Sequence, residues 1–227
     1  MNITKQILIN AWNKYKTEIS LGEWWDTVAS KVEDEFLYSI IRKIKPKKIL
    51  EISPQYGRST KIMLSAVRKN NKYCEILSYD VISDSSNLNT NDSAVKRELI
   101  VGDVKSTINI NDIIECDFLF MDSDHSYGFG KWYSQNIIPH LKNNILVYIH
   151  DWPTYASDGA GRNYLPHTSR GKFENQNLHG DGEPRAVKEY CVHTKMLNPI
   201  MNLDDENLNN IEYENQGIDP VQLLVKI

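Results

Sequence analysis

Apolar positions near the N-terminus recur every three to four residues. Ile7, Ala11, Trp12, Tyr15 and Ile19 keep this spacing, as do Phe36, Leu37, Ile40 and Ile41 within Glu33–Ile44. Such a period predicts amphipathic helices, the second closed by Pro46. Beyond Pro46 the pattern changes to short apolar runs. Lys48–Ile52, Glu75–Asp80, Glu98–Gly102, Phe118–Asp122 and Asn144–His150 read as strands. Between them lie helical stretches at Ser59–Lys69, with Ile62, Met63, Ala66 and Val67 inward, and at Trp132–Leu141. The segment Trp152–Gly182 is rich in Gly, Asn, Asp, His and Arg and keeps no period. Long connections of this kind are usually functional. A helix returns at Pro184–Cys191 and a final strand at Gln222–Lys226, with a further candidate strand at Asn210–Tyr213 inside the polar stretch Asp204–Gln216.

Near-continuous apolar strands alternating with helices imply a mostly parallel sheet covered on both faces. The expectation is a doubly wound α/β fold with an N-terminal helical cap at 1–45. Residues 46–227 would form a single unit carrying a long loop at 152–183. No internal repeat is visible. Glu51, Asp80, Asp122 and Asp151 stand at or beside strand ends, and Asp103 follows the remaining strand by one residue. In open parallel sheets ligands bind beyond the carboxyl ends of the strands, where strand order reverses. One aspartate there is ordinary turn chemistry; five carboxylates, one per strand, point to a shared ligand site.

Composition narrows the function classes. The chain has 227 residues, 41% of them hydrophobic and 25% charged, enough for a buried core. Lys plus Arg is 26 and Asp plus Glu is 30, a net charge of −4, which offers nucleic acid no general attraction. The apolar runs Phe118–Met121 and Ile145–Ile149 are too short for a bilayer. Lys5, Lys14, Lys16 and Glu18 interrupt what would be the apolar region of a signal peptide. Cys74, Cys116 and Cys191 form no CxxC pair and no even framework. These features predict a soluble, cytoplasmic protein with no nucleic-acid or membrane partner.

The segment Ile49–Thr60, Ile-Leu-Glu-Ile-Ser-Pro-Gln-Tyr-Gly-Arg-Ser-Thr, runs from a strand through a loop with Gly57 into a helix. A glycine lets a ligand approach the backbone, and a helix start offers free N–H groups and partial positive charge. Neither the phosphate-loop pattern nor the dinucleotide glycine triplet is present. Asp80 ends the second strand, placed to accept both hydroxyls of a ribose.

Five motifs follow in order at strand spacing: LEISPQYGRST, SYDV, VGDV, FMDSDHSY and YIHDW, over Lys47–Trp152. In this set the chain resembles the class I S-adenosylmethionine-dependent methyltransferases. It is most similar to a small O-methyltransferase subfamily like the macrolide-sugar and catechol-type metal-dependent enzymes. The resemblance implies a Rossmann-like, seven-stranded, mostly parallel sheet and S-adenosylmethionine as cofactor. Ser53, Gly57, Ser59 and Thr60 would surround the methionine end of the donor, and Glu51 would line the same pocket. Asp80 would hold the ribose, and Asp103 with Val104 would meet the adenine; Gly102 and Asp122 complete the donor set. Ser53 stands where the family pattern has its first loop glycine, and Pro54 follows, so the loop path is restricted.

Methyl transfer to oxygen needs an aligned hydroxyl and a way to remove its proton. A nearby base or a divalent metal would serve. Asp122, His125 and His150 are the catalytic candidates. Asp122, His150 and Asp151 resemble the family's metal set and would suit Mg²⁺ or Mn²⁺, with His150 replacing the first of an acidic pair. Neighbours on an extended strand point to opposite faces, so His150 and Asp151 ligate together only if the strand has ended. His125 is either a general base or part of a turn closed by Asp124. Trp24, Trp25, Trp132, Trp152 and Tyr155 offer flat faces for an acceptor. His179 is a further candidate, and Arg162, Arg170 and Arg185 offer positive charge. The favoured acceptor is a hydroxyl of a sugar or glycan; a small phenolic or catechol-like acceptor and a non-catalytic binding module are the alternatives. The length is compatible with a domain of a larger glycan-building protein.

Overall fold

A computed structural model describes residues 3–19, 31–150, 183–202 and 222–227. Helices α1 (Lys5–Tyr15) and α2 (Lys31–Ile44) come first, followed by β1 (Lys48–Ile52), α3 (Arg58–Lys69) and β2 (Cys74–Asp80). The short strand β3 (Thr90–Asn91) and β4 (Val95–Val101) precede two short helices, α4 (Val104–Thr107) and α5 (Ile110–Glu115). Then come β5 (Phe118–Met121), α6 (Tyr127–Asn136), β6 (Leu146–Ile149), α7 (Glu183–Val187), β7 (Leu197–Asn202) and β8 (Gln222–Lys226).

The described strands form one sheet in the order β3-β4-β2-β1-β5-β6-β8-β7. The pairs β4–β2, β2–β1, β1–β5 and β5–β6 are parallel. The edges are antiparallel, β3 on β4 at one side and β8 with β7 at the other. The sheet therefore has eight strands where seven were expected. Two of them, β3 and β7, fall at positions not read as strands in the sequence. The candidate strand Asn210–Tyr213 lies outside the described residues.

Alternation along the strands builds two cores. Ile49, Ile76, Phe118, Phe120 and Tyr148 face α1, α2 and α3, through Leu8, Trp12, Phe36, Ile40, Met63 and Val67. Leu50, Ile52, Leu77, Leu119, Val147 and Leu224 face the other way, onto Ile113, Phe129, Tyr133, Val187 and Cys191. The N-terminal helices thus share one core with α3 and the sheet. Strand order reverses at β1, which lies between β2 and β5. That reversal places a crevice beyond the ends of β1, β2 and β5.

Candidate active site

The loop after β1 is bent by three left-handed residues, Ser53 (φ 63°), Gln55 (φ 48°) and Gly57 (φ 80°). A Cβ at Gly57 would also crowd the end of the Leu88 side chain and come within 3.0 Å of Ser85 Cβ. Ser53 N–H donates to Tyr79 O at 2.8 Å, and Gln55 N–H donates to Asp80 Oδ2 at 2.8 Å. Asp80 also accepts from Ile82 N–H through Oδ1 at 3.2 Å. Asp80 thus fastens the loop to the end of β2. Gly102 and Asp103 follow β4; Gly102 N–H donates to Asp80 O at 2.7 Å, and Asp103 caps α4, whose Val104 is buried.

Glu51 is fully buried and points into the sheet–α3 interface. Its Oε1 accepts from Ser59 at 2.7 Å, and its Oε2 accepts from Thr60 at 2.7 Å and Ser78 at 2.5 Å. Buried Arg97 donates to Ser78 Oγ at 3.1 Å. Burial pushes the Glu51 carboxyl up, against the hydrogen bonds of Ser78, Ser59 and Thr60. Ser59 and Thr60 were expected around the methionine end of the donor, with Glu51 lining the same pocket. In the structure their side chains bind one another and secure the first turn of α3 to the sheet.

Across the crevice five ionisable side chains form a chain. Glu33 Oε2 lies 3.3 Å from His150 Nε2, and His150 Nδ1 lies 3.4 Å from Asp122 Oδ1. His125 Nε2 stands 3.6 Å from the same Asp122 oxygen, and His125 Nδ1 is 3.0 Å from Glu183 Oε2. The pair His125–Glu183 is reinforced by Glu183 N–H donating to His125 O at 2.9 Å. Glu33 and Glu183 are buried; Asp122, with a third of its side chain exposed, is the most accessible member. Burial pushes His125 down, but hydrogen bonds to Asp122 and Glu183, and their charges, push it up to about 10. Burial pushes Asp122 up, yet the charge of His150, with His125 beside it, holds it well below the usual carboxylate range.

Of the expected metal set, Asp122 and His150 stand 3.4 Å apart, and Asp151 lies outside the described residues. Among the described residues no group of three or more His, Cys, Asp or Glu side chains is arranged to hold a metal ion. Asp151, Trp152, Tyr155 and His179 lie outside the described residues, as do Trp24, Trp25, Arg162 and Arg170. Trp132 packs on Phe129 with ring centroids 5.5 Å apart. Arg185 pairs with Glu189 at 2.7 Å and lies over the Tyr127 ring. Asp124 Oδ1 accepts from Ser126 N–H at 2.9 Å, closing the turn that carries His125. Glu33 and Glu183 were missed in the sequence. The run Glu33-Asp34-Glu35 inside an otherwise amphipathic helix was the available signal.

Residues 50–152 match the family model Methyltransf_24, described as a methyltransferase domain. The fold is the Rossmann-like, mostly parallel α/β fold shared by the solved methyltransferases it superposes on. A proposed caffeoyl-CoA O-methyltransferase of Staphylococcus aureus superposes with a TM-score of 0.59 at 15% identity, covering 98% of this chain and 100% of that one. The S-adenosylhomocysteine-bound methyltransferase PaMTH1 of Podospora anserina gives 0.55 at 17%, covering 100% and 90%. An O-methyltransferase of Bacillus cereus in complex with S-adenosylhomocysteine gives 0.53 at 13%, covering 99% and 92%. No curated protein matches in sequence. Among the described residues no helix is long and apolar enough to cross a membrane.

Proposed function

We propose that this protein is a methyltransferase that moves the methyl group of S-adenosylmethionine onto a hydroxyl oxygen of a sugar or glycan, with Asp122 receiving the hydroxyl proton. The observation that carries the reading is the chain of five side chains centred on Asp122, facing the loop that Asp80 fastens across the crevice. In an in-line displacement the acceptor oxygen gains positive charge as its bond to carbon forms, so its proton becomes strongly acidic. A weak base then suffices, provided it is already within hydrogen-bond reach. Asp122 meets that requirement: it is partly exposed and fixed by two imidazoles. His125 is occupied at both nitrogens and charged at neutral pH, so its role is to hold Asp122 in place. Ribose hydroxyls of the donor would reach Asp80, and the adenine would lie beside Asp103 and Val104.

The transfer written this way needs no metal, and metal assistance remains a separate arm of the test. The sugar acceptor rests on the aromatic and polar residues between Trp152 and Arg185 in the sequence. The three cysteines are free and buried, in keeping with a reducing, cytoplasmic setting.

Calorimetry with S-adenosylhomocysteine is the primary experiment, run with EDTA and again with Mg²⁺ or Mn²⁺. Binding in EDTA is expected, with methyl transfer from labelled S-adenosylmethionine to deoxysugar glycosides in the same buffer. A folded sample that binds no S-adenosylhomocysteine would remove the reading. Transfer seen only with added metal would replace Asp122 with metal-assisted chemistry, and transfer only to phenols would replace the acceptor class.

A further inference from the structure

We propose that Asp34, in the first turn of α2, is a positioning residue for the donor: through Arg58 it sets the backbone that receives the amino-acid end of S-adenosylmethionine. The inference rests on the donor reading above and goes beyond it, because α2 lies outside every motif that implied the donor. Helix α2 opens with three consecutive carboxylates, Glu33, Asp34 and Glu35, and all three are buried. Successive side chains on a helix point about 100° apart, so one partner cannot serve all three. Glu33 reaches His150, Glu35 pairs with Lys31 at 3.7 Å on its own helix, and Asp34 reaches Arg58.

The Asp34–Arg58 contact is a fork. Arg58 Nε lies 3.1 and 3.2 Å from the two carboxylate oxygens, and Nη2 lies 2.5 Å from Oδ2. A buried ion pair is a poor way to stabilise a helix–helix contact, since apolar residues of the same volume do as well. What a fork supplies is direction. Arg58 is the first residue of α3, immediately after Gly57, so the fork fixes the start of that helix. The same turn is held from beneath, where Ser59 and Thr60 donate to Glu51. Two anchors on opposite sides therefore hold one turn of backbone. The first N–H groups of a helix have no carbonyl partner within it, and α3 starts just beyond the end of β1, the strand at which the order reverses. The adenosine end of the donor would meet a different set of residues, at Asp80 and Asp103. Loss of the fork should thus be felt by one end of the donor and not the other.

The test compares two ligands by calorimetry at neutral pH: S-adenosylhomocysteine, and 5′-methylthioadenosine, which lacks the amino-acid end. Asp34→Asn keeps the shape and weakens the fork. It is expected to weaken S-adenosylhomocysteine about tenfold and 5′-methylthioadenosine less than twofold. Arg58→Lys keeps the charge, loses the fork and should give the same split; it serves if the first variant folds poorly. Glu35→Gln is the control and should leave both affinities unchanged. Equal weakening of both ligands in the Asp34 and Arg58 variants would overturn the proposal. So would a lower melting temperature with both affinities intact, the signature of a purely structural pair. Wild-type protein that binds neither ligand would overturn the donor reading itself, and this role with it.

Discussion

At the scale of single residues, the site is built from ionisable groups that consume one another. His125 has an ordinary pKa of 6.5, and the fold pushes it up to about 10. Between those values the folded protein holds a proton that the unfolded chain has lost. The stability this contributes is complete below 6.5 and disappears as pH rises through about 10. Its size is on the order of a few kcal/mol, shared with Asp122 and Glu183. Equilibrium denaturation at stepped alkaline pH should show this decline in the native protein and a flatter curve in His125→Asn; identical curves would mean that the imidazole is neutral. Thr60→Val removes a hydroxyl at nearly constant shape and takes one donor from buried Glu51. A loss of about 1–3 kcal/mol is expected by urea denaturation. The motifs in the sequence named Glu51, Thr60, Asp122, His125 and His150, since strand ends and a helix start mark them. They could not give direction. Whether Glu51 faces a ligand or its own helix depends on Ser78, a strand away. Glu33 and His150 are 117 positions apart, and His125 and Glu183 are 58 apart.

At the scale of elements, periodicity located the strands that lie buried on both faces and failed where a cap or an edge decides. Helix α6 starts at Tyr127 where apolar spacing placed it at Trp132, because Ser126 caps it, accepting from Phe129 N–H at 3.0 Å. Its glycines hid the start, and Gly130 has a reason to be there. A Cβ at Gly130 would come within 3.0 Å of both Glu183 Cα and Ala186 Cβ. Helices α6 and α7 therefore touch backbone to backbone, and this contact delivers Glu183 to His125. Gly130→Ala should part the helices and cost about 1–3 kcal/mol from overpacking, read as a lower melting temperature. If the variant melts with the native protein, α7 is not held where the chain of carboxylates and imidazoles requires it. Strand β7 escaped notice for another reason. It carries Pro199 at an irregularity in its pairing with β8, an edge position where a missing N–H is tolerated.

At the scale of the molecule, β1 divides the labour. On one side β2 and β4 bring Asp80, Gly102 and Asp103 to the crevice; on the other β5 and β6 bring Asp122 and His150. The parts meet only beyond the strand ends, so a change confined to the β5–β6 side should leave the donor side intact. Asp122→Asn is the sharpest case. The amide keeps the size of the carboxylate and still fits between His125 and His150, but it cannot take the proton that leaves the acceptor as the new C–O bond forms. Methyl transfer should fall by roughly 10²–10⁴-fold. The affinity for S-adenosylhomocysteine should stay within a few fold, because Asp80 and the loop it fastens are untouched. Paired measurements of turnover and S-adenosylhomocysteine binding on one preparation decide the matter. Turnover that survives the substitution would take the proton away from Asp122. A matching collapse in donor affinity would show that the two sides of β1 are not separate and that Asp122 belongs as much to the donor as to the acceptor.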